Sequence, residues 1–376
     1  MDIDSLLREM NDKGASDLHM RSFAPPLMRI NGVLTPVREE KLSQEEVETI
    51  IKKILSEKQH AVLDEELSVD SSYAVESYRR FRVNVFHQRG TLGMVFRSIA
   101  TTIPTIDERG LPQVLKTFCD KPQGLVVVSG PTGSGKSSTL ASILQHINQS
   151  RRVHVITIED PIEYLFRDDK AFITQREVGV DTPSYALALK NAMRQDPDVM
   201  LIGEVRTIET ISIALSSAET GHLVFTTIHA NSAYEAVSRI VDSFPPDIRI
   251  QVRKQLADVL VASIHQRLVR TKDGKGRIAA LEILIKSPRI KDLIEKNEIK
   301  EMREEMERSV LAYRMQSLEQ ALIALIANNE ISYEEAIPIT LVPGEMKLMM
   351  DQLGISEHGG LIEKKGGVDD GPGIDF

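Results

Sequence analysis

Residues 124–139, GLVVVSGPTGSGKSST, join a run of apolar residues to a glycine-rich loop that ends in Gly135, Lys136 and Ser137. This is the GxxxxGK[ST] pattern, in which a buried strand leads through a loop of backbone N–H groups into the N-terminus of a helix. The helical stretch TLASILQHI follows the loop directly. The segment therefore predicts a strand, a phosphate-binding loop and a helix in that order, and with them a site for a nucleoside triphosphate.

Each residue type in this loop suits the binding of phosphate or Mg²⁺. Glycines allow the backbone N–H groups to curl around an anion, Lys136 would neutralise the β- and γ-phosphates, and the Ser137 hydroxyl is a hard oxygen ligand suited to Mg²⁺. The expected cofactors are ATP and Mg²⁺. The residues expected to bind nucleotide are Gly130, Pro131, Thr132, Gly133, Ser134, Gly135, Lys136, Ser137 and Ser138.

Composition limits the classes of protein to which the chain can belong. A length of 376 residues suggests two or three domains, and the formal net charge of −9 argues against a broad basic surface for nucleic acid. The single cysteine, Cys119, excludes an intrachain disulfide framework. The opening MDIDSLLREMNDKG lacks the apolar core of a secretory signal. We expect a cytoplasmic protein with no direct membrane span, which associates with a membrane through a partner or through its surface.

The fold class predicted from the apolar pattern is α/β with a smaller α+β domain in front. Within residues 1–100 we expect an amphipathic helix, a hairpin that turns at Asn31 and Gly32, and a helix that begins with a capping box of Ser43 and Glu46. Proline and glycine mark 101–112 as a linker.

Strands and helices are expected to alternate over 113–285, where apolar runs predict a mainly parallel sheet. We expect a helical C-terminal subdomain over 286–345 and a flexible tail over 346–376.

Carboxylates at the ends of buried strands are the next candidates, because a buried charge is costly unless it is paired or meets a metal. Glu204 follows VMLIG and is our first choice for the acid that holds Mg²⁺. Glu163 is the candidate general base or water-positioning group. Glu159 and Asp160, at the exit of another strand, could serve Mg²⁺ in the same way, but a solvated loop acid or a helix cap explains them equally well. His222 and His229 lie at the two ends of one predicted strand. Their odd spacing argues against a shared metal site.

Four segments in this order resemble the type II/IV secretion ATPase superfamily, most closely the PilT/PilU pilus retraction ATPases. They are the phosphate-binding loop GPTGSGKSS, the aspartate box ITIEDPIEY, the Walker B segment VMLIGEVR and the histidine box TGHLVFTTIHAN. The resemblance implies a PAS-like N-terminal domain, a RecA-like P-loop domain and a homohexamer. It makes Glu204 the Walker B glutamate, Glu163 the catalytic glutamate, and His222 and His229 the histidine-box residues.

The same resemblance makes Arg82 and Arg97 candidates for arginines that approach the phosphates from the N-terminal domain. An arginine on an exposed strand is more often solvated or ion-paired. The chain departs from the family at residues 289–296, RIKDLIEK, where principal retraction ATPases carry AIRNLIRE. Lys291 and Glu295 replace the two arginines. This departure and other segments place the chain nearer to the accessory PilU type.

The resemblance thus implies an ATP-driven hexameric motor for pilus retraction and twitching motility. Its implied partners are an inner-membrane platform protein, through which it would associate peripherally with the inner membrane, and a paralogous retraction ATPase. Two alternatives remain: a low-turnover accessory ring subunit that binds nucleotide, and a RecA-like nucleic-acid motor. The acidic composition counts against nucleic acid as a partner.

Overall fold

The computed structural model of the protein describes residues 2–75, 79–100, 102–340 and 342–357. These form two compact units, and the chain passes between them several times. The first unit contains the N-terminal region to Thr102 together with Asp160–Phe166 and Arg176–Ser184. The second contains Ile103–Glu159, Arg167–Gln175 and the chain from Tyr185 onward.

The first unit is an antiparallel sheet with three helices. Its elements are α1 (Ile3–Asp12), β1 (Asp17–Arg21), β2 (Leu27–Ile30), β3 (Val33–Pro36), α2 (Gln44–Ile54), α3 (Glu57–Glu66), β4 (Ser68–Val75), β5 (Arg79–Gln88) and β6 (Thr91–Ser98). The six strands lie in the order β3-β2-β1-β6-β5-β4. Its core packs apolar side chains of α1 and α2 with those of the strands, including Leu7, Ile51 and Phe96.

The hairpin turn and the helix cap predicted from the sequence of this unit are both present. Asn31 and Gly32 turn between β2 and β3 with φ of 49° and 83°, as a two-residue hairpin requires. The capping box of α2 is present: the Glu46 backbone N–H donates to the Ser43 hydroxyl at 3.2 Å, and the Ser43 N–H donates to the Glu46 carboxylate at 2.9 Å.

The second unit is built on a mostly parallel sheet. Its strands are β7 (Gly124–Ser129), β8 (His154–Glu159), β9 (Phe172–Glu177, whose last two residues belong to the first unit), β10 (Val199–Ile202), β11 (Leu223–Ile228), β12 (Leu260–Arg270) and β13 (Arg277–Ile285). Their order is β13-β12-β7-β11-β10-β8-β9. The strands β12, β7, β11, β10 and β8 are mutually parallel, and β13 is antiparallel to β12. The predicted α/β class with a parallel sheet is confirmed.

Helices connect these strands and continue to the C-terminal part. They are α4 (Val114–Cys119), α5 (Lys136–Ser150), α6 (Tyr185–Ala192), α7 (Ile208–Glu219), α8 (Ala233–Asp242), α9 (Arg249–Val259), α10 (Pro288–Lys296), α11 (Ile299–Arg308), α12 (Val310–Tyr313), α13 (Leu318–Ala327), α14 (Tyr333–Ala336) and α15 (Pro343–Leu353). No helix in the described residues is long and apolar enough to cross a membrane.

Two stretches differ from what we expected. Most of the predicted linker packs into the second unit: Ile106 and Leu111 are buried, and the Ser142 hydroxyl of α5 donates to the Pro104 carbonyl at 2.7 Å. The first residues of the predicted tail 346–376 lie in α15, because Met346 and Met350 pack into the C-terminal core. Residues 358–376 lie outside the described chain.

Cys119 lies at the end of α4 and is fully buried. Its sulfur lies 3.7 Å from the Ile143 carbonyl oxygen of α5. Burial in this apolar setting raises the pKa of the thiol to about 12. The residue is therefore an inert packing group.

Candidate functional site

The phosphate-binding loop follows β7 at the carboxyl edge of the parallel sheet. Gly130 and Gly135 have φ of 145° and 85°, which side chains rarely tolerate. A β-carbon at Gly130 would lie 2.5 Å from the Gln266 carbonyl oxygen, and one at Gly135 would lie 2.9 Å from the Gln266 side-chain nitrogen. Glycine is thus required at both positions by backbone conformation and by packing against β12.

Lys136 is the first residue of α5, and its side chain folds back over the phosphate-binding loop. Its ammonium group donates to the carbonyl oxygens of Gly130 at 2.9 Å and Pro131 at 3.1 Å. Burial lowers the pKa of Lys136, and the negative charge of Glu204 partly opposes that shift. The lysine and the predicted Walker B acid therefore influence each other electrostatically.

Glu204 reaches the same edge because backbone pairing continues past the end of β10. The Gly203 N–H donates to Ile158 at 2.8 Å, and the Val205 N–H donates to Thr227 at 3.1 Å. The Thr227 hydroxyl also donates to the Gly203 carbonyl at 2.6 Å. Bonds to both neighbouring strands thus hold the backbone on either side of Glu204.

Two side chains contact the Glu204 carboxylate, one on each oxygen. His229 Nε2 lies 3.2 Å from Oε1, and the Arg206 guanidinium lies 2.7 Å from Oε2. His229 follows β11, the strand between β7 and β10, and its carbonyl accepts a hydrogen bond from Arg239. The parallel pairing of β10 with β11 therefore brings His229 and Glu204 together.

His222 lies elsewhere. It precedes β11, at the opposite edge of the sheet from the phosphate-binding loop, roughly 23 Å along the strand from His229 at the usual rise per residue. Its Nδ1 lies 2.9 Å from the Ser217 carbonyl oxygen, at the last turn of α7. In this chain His222 caps a helix, and the structure does not bring it to Glu204.

The acids of the aspartate box are divided between the two units. Glu159 is buried at the end of β8 and accepts hydrogen bonds from Thr157 at 2.7 Å and Gln175 at 3.3 Å. Asp160 and Glu163 are exposed and belong to the first unit. The catalytic role expected of Glu163 stays a prediction.

Arg82 and Arg97 also belong to the first unit, where each meets an acid. Arg97 Nε lies 2.8 Å from the carboxylate of Asp17, and the Arg82 guanidinium lies 3.7 Å from Asp70. Burial raises the pKa of Asp17, but hydrogen bonds from Arg97 and Ser16 outweigh it and hold the pKa below its usual range. Both arginines are ion-paired within the unit.

Strand β12 supplies functional residues that the sequence reasoning missed. The Gln266 amide donates to the Ser134 carbonyl of the loop at 2.7 Å and accepts from the Thr139 hydroxyl of α5 at 2.8 Å. Gln266 is fully buried, so these bonds brace the loop against the helix. Consecutive polar residues in an otherwise apolar run, SIHQRLV, were the available signal.

His265 forms a second polar link on β12. Arg267 Nε donates to His265 Nε2 at 3.2 Å, so Nδ1 carries the proton and donates to the Ser129 hydroxyl at 3.2 Å. That hydroxyl donates in turn to the Ile264 carbonyl at 3.1 Å. Burial, with help from Arg267 and Lys136, lowers the pKa of His265 to about 4. A neutral histidine therefore anchors the end of β7 just before the loop.

The residues at this edge fit a magnesium ion that arrives with nucleotide. The described residues contain no group of three or more His, Cys, Asp or Glu side chains arranged to hold a metal. Mg²⁺ usually takes one or two protein oxygens, with phosphate and water completing its shell. The Ser137 hydroxyl, exposed in the first turn of α5, and the Glu204 carboxylate are oxygen donors of the required kind.

Comparison with known proteins gives one family for nearly the whole chain. The model of the type II/IV secretion system protein family matches residues 1–337. The chain belongs to this family. It is 42% identical over 350 residues to the type IV pilus ATPase PilU of Pseudomonas aeruginosa, covering 93% of this chain and 91% of PilU. It is 41% identical over 343 residues to the pilus retraction ATPase PilT of the same organism, covering 91% of this chain and 99% of PilT.

A solved structure of the pilus retraction motor PilT with bound ADP superposes with a TM-score of 0.86 at 41% identity, covering 93% of this chain and 100% of that one. The predicted PilT/PilU resemblance, slightly nearer to PilU, is confirmed. So is the predicted fold: a PAS-like N-terminal domain, a RecA-like P-loop ATPase domain and a helical C-terminal region.

Proposed function

We propose that the protein is an ATP-hydrolysing motor that powers retraction of a type IV pilus. Its family membership makes it a P-loop ATPase, and the retraction role is proposed from the likeness to PilT and PilU. The observation that carries the proposal is the group formed by Lys136, Glu204 and His229 at one sheet edge.

These residues suit phosphoryl transfer, a reaction in which catalysis is mainly positioning and electrostatic stabilisation. The loop N–H groups and Lys136 would bind the β- and γ-phosphates. The Glu204 carboxylate, contacted by His229 on one oxygen and by Arg206 on the other, would help to order the water around the metal. Ser137 and Glu204 would hold Mg²⁺, which would offset the phosphate charge.

The assembly and its surroundings are part of the proposal. As the resemblance implies, the chain would work as a homohexamer in the cytoplasm, against an inner-membrane platform protein and beside a paralogous ATPase. Within such a ring, Arg82 or Arg97 would approach nucleotide, and Glu163 would act on water. Their present ion pairs and exposure are compatible with a role that begins only in the assembly.

The direct test is steady-state hydrolysis of ATP by the purified chain. We expect Glu204→Gln to lower kcat about 100-fold while ATP still binds, and Lys136→Ala to lose both binding and hydrolysis. Glu209→Gln is the matched control, since this exposed acid lies five residues away and pairs only with Lys190 among the described residues. Normal turnover by Glu204→Gln would contradict the mechanism. Stimulation by single-stranded DNA would favour a nucleic-acid motor instead.

A further inference from the structure

Arg109 lies in a short segment that is fixed beside the phosphate-binding loop. Ile106 and Leu111 anchor the segment in the core, and the Arg109 backbone N–H donates to the Thr105 carbonyl at 3.2 Å. One guanidinium nitrogen of Arg109 lies 3.6 Å from the point where a β-carbon on Gly135 would stand. Gly135 is the N-cap of α5, so the guanidinium reaches the start of the helix that follows the loop.

This guanidinium has no partner in the described part of the chain. Its Nε is buried without a hydrogen bond, and no acid there forms an ion pair with the group. The neighbouring acids are engaged elsewhere: Asp107 binds Lys116 at 2.8 Å, and Glu108 accepts from the Thr105 backbone N–H at 2.7 Å. A charge left unpaired at a half-buried position normally has a counter-ion in the working protein.

The position is unfavourable for a cation unless an anion is also present. The first turn of a helix carries partial positive charge from its free N–H groups, so a cation held beside it is destabilised. Lys136 brings a second positive charge to the same turn. An anion in the loop would attract the Arg109 guanidinium, the Lys136 ammonium group and the helix N-terminus, and would offset the repulsion among them.

We infer that Arg109 is a further nucleotide-binding residue that contacts the phosphate chain of the bound nucleoside di- or triphosphate. The inference rests on the proposed function, because it uses the same nucleotide site. Arg109 and Lys136 would then hold the phosphates from two sides of the loop. A guanidinium can donate two parallel hydrogen bonds to one phosphate, which Lys136 cannot do.

The test compares affinity with the stability of the nucleotide-free protein, using ADP as the probe. We expect Arg109→Leu to weaken ADP binding about 10-fold in calorimetry, the size typical of one lost charge-assisted hydrogen bond. Arg109→Lys should recover part of that loss. Without nucleotide, the Tm of Arg109→Leu should equal or exceed the wild-type Tm, because a repulsion has been removed.

Arg152→Leu is the matched control, since it removes the same charge from an exposed residue beyond the other end of α5. It should leave ADP affinity unchanged. Unchanged affinity in Arg109→Leu, or a lower Tm without nucleotide in both Arg109 variants, would overturn the inference and make Arg109 a structural brace. Failure of the wild type and the control to bind ADP would count against the proposed function instead.

Discussion

Glu204, the proposed magnesium-holding acid, is fixed by its backbone and by two side-chain contacts. Backbone bonds to both neighbouring strands hold the peptide around Glu204, and His229 and Arg206 each occupy one oxygen. Such a group loses little conformational freedom when it binds water or metal, because its orientation is already set. The two histidines of the same motif can be separated by experiment on this basis.

We expect His229→Ala to lower kcat about 10-fold with ADP affinity nearly unchanged, because the Glu204 carboxylate loses the side chain that contacts Oε1. His222→Ala should leave kcat unchanged and destabilise the fold by about 1 kcal/mol through the lost bond to Ser217. Hydrolysis rates and thermal unfolding of both variants measure the difference. Equal loss of kcat in the two variants would show that His222 also acts in catalysis.

Individual site residues can be predicted from the sequence when they belong to a motif of fixed spacing. Residues that reach the site from distant parts of the chain cannot. Lys136 follows from the glycine pattern, and Glu204 follows from a strand that ends in an acid. Gln266 reaches the loop only because β12 pairs with β7, a long-range pairing that local spacing cannot reveal. Arg109 was assigned to a linker, since proline and glycine around it suggest a turn but say nothing of where the turn packs.

Strands β12 and β13 carry buried ionisable groups whose effects on stability oppose each other. Burial raises the pKa of Glu282 on β13 to about 8, although the Ala233 N–H at the start of α8 donates to its carboxylate at 2.6 Å. Burial lowers the pKa of His265 on β12 to about 4. The folded protein therefore prefers a neutral group at both positions near neutral pH.

The signs of the two pH effects follow from proton linkage. The unfolded chain binds a proton on His265 below pH 6.5 that the folded chain refuses until about 4, so this stability is lost as pH falls through that window. Unfolded Glu282 releases its proton above 4.5 while the folded carboxyl keeps it until about 8, so this stability is lost as pH rises. The two windows overlap between pH 4.5 and 6.5, where the opposing effects cancel, so the combined contribution of the two groups to stability should be greatest there.

Glu282→Gln should remove the loss on the alkaline side. An amide keeps an acceptor for the Ala233 N–H and cannot ionise, so the variant should gain on the order of 3 kcal/mol relative to wild type between pH 5 and pH 9. Urea unfolding at the two pH values measures the gain. Glu330→Gln, which changes an exposed acid, serves as control. A parallel pH dependence in wild type and Glu282→Gln would refute the assignment.

Elements with strong local signals were predicted well. The hairpin of β2 and β3, the capped helix α2 and the strand that leads to the loop all follow from turn residues, caps and apolar runs. Helix α15 was missed because its two buried methionines gain their partners only from the C-terminal core, and the glycines and acids after it suggested a continuous tail.

At the scale of the whole molecule, the departure at residues 289–296 bears on how the protein would act in a cell. This stretch forms most of α10, whose apolar side packs inward through Ile290, Leu293 and Ile294. Lys291 pairs with Asp258 of α9 at 2.5 Å and lies 3.9 Å from the carboxylate of Glu295, which is exposed. The negative charge that Glu295 carries in place of an arginine therefore lies on the surface, where a partner could contact it.

We expect this chain to hydrolyse ATP but not to support full pilus retraction alone, because a reversed charge on an interaction face repels a partner that an arginine would attract. Twitching motility in cells that retain only this ATPase should be weaker than in cells that also retain a paralogue with the complete motif. Glu295→Arg should restore part of the motility, and Glu298→Arg, just beyond α10, should not. Full motility with the unaltered chain alone would make it a principal motor.

The inert thiol of Cys119 makes the natural chain a ready background for chemical labelling. Maleimides react with thiolates, and a fully buried sulfur with a pKa raised to about 12 offers them almost none. Since the chain has no other cysteine, a thiol introduced at any exposed position would carry the only reactive sulfur. Dyes or spin labels could thus be attached at a chosen position in either unit without first removing a native residue.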